Sequence, residues 1–177
     1  VVLKRLAPFL IAFVLPLVLI YAWWGGFNPV SIEEAVRGPY TYAYLEHTGD
    51  YAKLPDEQIK ARNGLERQKT PVGLSINVLY SNPDLVEQSK RVARTGYLVP
   101  AGTQVDAPLK VDVIPARPVL IARVQSSVIL APSRAYLALD KHLQAQGRGI
   151  AMPTVEIYES PASGFSMGVL SVEMNLQ

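Results

Sequence analysis

Hydrophobic and polar positions alternate differently in successive parts of this chain. From Leu6 to Trp24 no residue is charged. Such a run of about 19 residues makes roughly 28 Å of helix, near the hydrocarbon thickness of a bilayer. Lys4 and Arg5 precede it, and Tyr21, Trp23 and Trp24 close it, where amphipathic rings favour the headgroup region. Gly25, Gly26 and Pro29 then stop the helix. The bulky exit Ala22-Trp23-Trp24-Gly25 does not suit a cleaved leader. The pattern therefore predicts a retained single-pass transmembrane anchor over residues 1–27. Pro16 predicts a kink, either merely tolerated or shaping a contact with another membrane protein. The basic residues before the span place the N-terminus in the cytoplasm and the globular part outside, in the periplasm of a bacterial inner membrane.

Beyond the span the pattern changes. Ser31-Ile32-Glu33-Glu34 has capping-box spacing and predicts a short helix inside a spacer, 28–38, that ends at Gly38-Pro39. Tyr40, Tyr42 and Tyr44 alternate with Thr41, Ala43 and Leu45, which predicts a strand over 40–46. Asp50 to Gln68 reads as a helix with an apolar side of Leu54, Ile59 and Leu65 and a solvated stripe of Lys53, Lys60 and Arg67. Strands follow at 75–80 and 89–98, separated by the turn signal Asn82-Pro83-Asp84, and 100–108 reads as a loop. The second half repeats this order: a strand at 119–124, a helix from Pro132 to about Gln146, and strands at 153–158 and 168–174. Tyr80/Pro83 recurs as Tyr158/Pro161 at an offset of about 78 residues. The reading is an α+β fold from two strand-helix-strand-strand repeats, 39–108 and 109–177. Joined edge to edge, they form one antiparallel-rich sheet of about eight strands with both helices on one side.

Composition narrows the chemistry. A net charge of +2 over 177 residues, with both signs mixed, does not suit phosphate neutralisation on nucleic acid. The chain has no cysteine and only His47 and His142 as imidazoles, so no thiolate chemistry, no metal site and no cofactor are expected. Gly164-Phe165-Ser166-Met167-Gly168 matches G-x-S-x-G. A strand rather than a helix follows it, and no histidine comes later, so it reads as a hairpin loop.

Three motifs carry a resemblance to the GyrI-like small-molecule-binding domains: Leu79-Tyr80-Ser81-Asn82-Pro83, Tyr136-Leu137-Ala138-Leu139-Asp140 and Val155-Glu156-Ile157-Tyr158. It covers about 39–176. With the N-terminal span, the layout resembles the membrane-anchored form known from the animal receptor for autophagy of the endoplasmic reticulum. No helix-turn-helix segment and no disordered tail accompany the domain, so neither a transcription regulator nor a tail-borne recruitment motif is expected. The resemblance implies a groove for a cationic or aromatic ligand, with Glu156 facing it, Tyr158 two residues along the same strand face, and Tyr80 on the opposite wall. The residues themselves leave open whether Glu156 meets a ligand or pairs structurally with a basic residue such as Arg123. The leading expectation is a non-enzymatic accessory or scaffolding subunit. In that reading Pro16, Tyr21, Trp23 and Trp24 meet the bilayer and another integral membrane protein. The alternative is a sensor or carrier of a small hydrophobic cation, and a small-molecule hydrolase comes third.

Overall fold

The computed structural model of the protein describes residues 2–160 and 167–176. Among the described residues, three α-helices, α1 (Val2–Trp23), α2 (Leu54–Arg67) and α3 (Ala131–Gln144), accompany eight strands. The strands are β1 (Val30–Arg37), β2 (Tyr40–Thr48), β3 (Ser75–Leu79), β4 (Val92–Leu98), β5 (Lys110–Ile114), β6 (Arg117–Ser126), β7 (Thr154–Glu159) and β8 (Gly168–Asn175). They form one antiparallel sheet in the order β1-β6-β8-β7-β3-β4-β2-β5. At its centre β3 pairs with β7.

This order, with two very short connections, bends the sheet. β1 lies six strand-to-strand steps from β2, which in a flat sheet would be roughly 29 Å. Only Gly38 and Pro39 join them, and three Cα–Cα steps cover at most about 11 Å. The Pro115-Ala116 link between β5 and β6 imposes the same demand. The sheet must therefore curl until its ends meet, and the two links touch. Gly38 has φ +92°, and a side chain there would meet the Pro115 carbonyl at 3.0 Å. Tyr40 on β2 likewise donates to Glu173 on β8 at 2.7 Å, across the inside of the curl.

The concave face thus buries itself without a helix. Tyr42, Ile76, Val78, Val155 and Ile157 fill it, with Val119 and Ile121 beside them. The convex face carries the helices. α2 rests on β4 and β2, burying Ala61 and Leu65 against Ala43 and Tyr97. α3 rests on β6 and β8, burying Ala135, Leu139 and Leu143 against Leu120, Val172 and Met174. Pro55 and Pro132 sit in the first turns of α2 and α3, where a missing N–H costs nothing.

Three expectations are corrected. Residues 31–34 form β1, not a capped helix: Val30, Ile32, Ala35 and Val36 suit an extended edge, and all eight β1 residues pair with β6. A further strand, β5, occupies 110–114, where none was predicted. The anchor is the third. Among the described residues, no helix is long and apolar enough to cross a membrane. Among the described residues the fold is an α+β sheet with three helices, none of which crosses a membrane. The single-pass topology, the inner-membrane placement, the bilayer and integral-membrane partners and the accessory-subunit reading fall with the anchor. The residues assigned to it hold the end of α1 to its own domain. Tyr21 packs edge-on against Phe27 at 5.0 Å. The Trp24 carbonyl accepts from the Ser126 hydroxyl and the Ser127 N–H, both at 2.9 Å. The Arg134 guanidinium on α3 donates to the carbonyls of Gly25 and Asn28. Pro16 and Trp23 lie on α1 among exposed residues.

Closure of the sheet predicts where it is most sensitive. Glu173 is 2% exposed and pairs with Arg117 at 2.9 Å while accepting from Tyr40. Glu173→Ala leaves the Arg117 charge buried without its partner and should cost about 3–5 kcal/mol in urea denaturation, whereas a joint Arg117→Met/Glu173→Leu replacement should recover most of that loss.

Candidate functional site

α2 and α3 stand apart over the two ends of the sheet, which leaves β3 and β7 between them. A cavity of about 920 Å³ opens there, within the usual range for small-molecule sites. Its floor is the convex face of the two central strands. In antiparallel register Ser75 lies opposite Tyr158, Asn77 opposite Glu156, and Leu79 opposite Thr154. Leu54 and Pro55 of α2, Tyr136 and Leu137 of α3, and Ile150 and Met152 before β7 supply apolar walls.

Glu156 projects from β7 into this space. Asn77 donates to its Oε2 at 3.1 Å. The Asn77 carbonyl in turn accepts from the buried Thr95 hydroxyl at 2.6 Å and from Gln58 at 3.4 Å, which fixes the amide with its NH₂ toward the carboxylate. The Tyr136 hydroxyl lies near the carboxylate and shares a 2.8 Å hydrogen bond with the buried Thr154 hydroxyl. Loss of hydration pushes the Glu156 carboxyl above its ordinary range, against the Asn77 amide and the nearby Tyr136 hydroxyl, which favour the ionised form. Burial, then the nearby Glu156 charge, pushes the Tyr136 hydroxyl well up, so it remains a neutral donor.

Among the described residues no basic side chain pairs with Glu156, and none lines the cavity. Arg123 points to the concave face and approaches Glu159 at 3.6 Å. Strand alternation keeps it on the opposite side of the sheet from Glu156.

The predicted ligand residues separate. Tyr158 lines the cavity beside Glu156, its hydroxyl accepting from the Gly168 N–H, and burial raises its pKa. A side chain at Gly168 would come within 2.1 Å of that hydroxyl, so only glycine fits there. Tyr80 does not join them. It follows the concave-facing Val78 and lies over the Arg94 guanidinium at 5.3 Å. Its misplacement has a simple cause. An offset of 79 (156 − 77) matches Ser75-Ile76-Asn77-Val78-Leu79 to Thr154-Val155-Glu156-Ile157-Tyr158 and keeps equivalents on one face. An offset of 78 turns the strand over. Asn77 and Tyr136 are the contacts that sequence reasoning missed. A lone asparagine amid Ile76, Val78 and Leu79 was the available signal for the first. Of the Gly164–Gly168 loop, only Met167 and Gly168 belong to the described residues, and Pro161 also lies outside them. Among the described residues no group of three or more side chains could hold a metal ion.

No family model matches the chain, and neither does any curated protein. Solved structures do. The EcmrR–DNA complex matches with TM-score 0.61 at 12% identity, covering 98% of this chain and 68% of that one. SAV2435 bound to tetraphenylphosphonium matches with TM-score 0.55 at 11% identity, covering 83% and 94%. A hydrolase from Listeria innocua matches with TM-score 0.53 at 10% identity, covering 87% and 97%. Identities this low establish a shared fold. The resemblance to GyrI-like domains stands at that level, and nothing supports its membrane-anchored form.

Glu156 gives a pH signature in the empty protein. Its folded pKa lies above the unfolded value, so between the two the folded state binds more protons and stability falls as pH rises. At pH 8 Glu156→Gln should melt at or a few degrees above the native protein, the gap closing as pH drops through the folded pKa. A clearly lower alkaline melting point for the variant would mark the carboxylate as a structural strut.

Proposed function

We propose that this domain binds a lipophilic, aromatic cation in the cavity between α2 and α3, with Glu156 as the counter-ion. One observation carries the reading: a carboxylate held in a largely apolar cavity of about 920 Å³ with no basic partner among the described residues. An ionised carboxylate in such surroundings is poorly compensated, and a ligand that brings the missing charge relieves that cost. The rings of Tyr136 and Tyr158 offer faces for a flat or ring-bearing cation. Asn77 and Tyr136 fix the carboxylate before the ligand arrives, which limits the ordering that binding requires. The tetraphenylphosphonium bound to SAV2435, a protein of the same fold, supports this ligand class. The role is that of a sensor or carrier that leaves its ligand chemically unchanged.

Calorimetric titration with tetraphenylphosphonium tests the proposal. One site per chain is expected, and Glu156→Gln should weaken binding by about 30-fold or more, the scale of a hydrogen-bonded charge contact. Affinity should be flat at alkaline pH. It should fall about ten-fold per pH unit once the Glu156 carboxyl protonates, at a pH above that of an ordinary glutamate. Equal affinities for native protein and variant would refute the assignment.

A further inference from the structure

Glu156 is not the only acid on the cavity. Asp140 of α3 and Asp84, in the turn after β3, line it as well, and no lysine, arginine or histidine does among the described residues. Neither aspartate belongs to an ion pair among the described residues. Asp140 is half-buried and receives only the Gln144 amide, at 2.7 Å. The charges are also separated along the cavity. Tyr136, which lies near Glu156, and Asp140 stand four residues apart on one face of α3, so Asp140 lies one helical turn, about 6 Å, farther along. Leu137 and Ile150 add apolar lining. Glu156 is the more enclosed carboxylate, opposite Asn77; from there β3 runs on through Leu79 toward the exposed Asp84, as α3 runs on from Tyr136 to Asp140.

We infer that this cavity selects elongated dications, in which one charged ring reaches Glu156 and an apolar spacer carries a second positive group to Asp140 and Asp84. The inference rests on the cation-binding reading of Glu156 and adds the ligand's length and second charge. A single compact cation satisfies Glu156 and leaves the aspartates to water. The second contact is partly solvated, so it contributes less than the first and is more sensitive to salt.

Two related probes separate the claims. 1,4-Bis(quinolinium-1-yl)butane carries two quinolinium rings on a spacer of about 6 Å, the interval of one helical turn, and N-butylquinolinium carries one. Native protein should bind the dication about ten-fold more tightly. Asp84→Asn/Asp140→Asn should bring that ratio to within about two-fold, at the expense of the dication, and the dication should show the steeper salt dependence in native protein. The inference is overturned if the two probes bind equally, or if the advantage survives the double substitution while Glu156→Gln still weakens both. If neither probe binds, or Glu156→Gln changes neither, the cation-binding reading falls and takes this inference with it. A melting point of the double variant within a few degrees of native confirms that folding is not the cause of any loss.

Discussion

The two-residue links at Gly38-Pro39 and Pro115-Ala116 are the constraint on which the molecule depends. Each joins strands six positions apart in the sheet order, so both can close only if the sheet curls. The curl gives the concave face a core of its own, built from Tyr42, Ile76, Val155, Ile157 and Ile121. It leaves the convex face broad, with a helix toward each end and β3 and β7 between them. The cavity is therefore a product of topology: neither helix is positioned to fill the centre. The end of α1 is tied to the same frame through Trp24, Ser126 and Arg134, next to the first turn of α3, whose Ala131 and Pro132 line the cavity.

Two enclosed glutamates on opposite faces of this sheet show how placement divides structure from function. Glu173 faces inward, where Arg117 and Tyr40 meet it, and its charge is answered within the fold. Glu156 lies on the strand next to it and faces outward, where Asn77 and Tyr136 orient it but bring no charge. Hydrogen bonds from neutral donors can hold an ionised carboxylate in place without cancelling its cost of desolvation. The first charge therefore belongs to the fold, and the second is left for a ligand to neutralise in the proposed reading.

Much of this was legible before the structure. Apolar pattern located α2, α3 and six of the strands to within a few residues, because each helix buries one apolar face and the strands are apolar runs bounded by turn signals. The Glu156–Tyr158 pairing on one strand face followed from alternation alone. What was not legible depended on long-range pairing. β1 borrows its stability from β6 across some 90 residues of sequence, so its capping-box spacing misled. The charge-free run at the N-terminus has the composition of an anchor, but among the described residues no helix is long and apolar enough to cross a membrane. Tyr80 was lost to a one-residue error in the repeat offset, which in a strand exchanges the two faces completely. Asn77 entered the site through the β3–β7 pairing and Tyr136 through the packing of α3 beside it.

The central claim is that Glu156 carries an uncompensated charge that a bound cation neutralises. Carbon-13 NMR titration of the Glu156 side-chain carboxyl, with and without saturating tetraphenylphosphonium, measures this at the atom concerned. The account predicts a pKa above the ordinary glutamate range in the free protein and, because the cation favours the ionised form, a marked downward shift when it binds. A Glu156 pKa that is ordinary in the free protein, or that does not move with ligand, would contradict it.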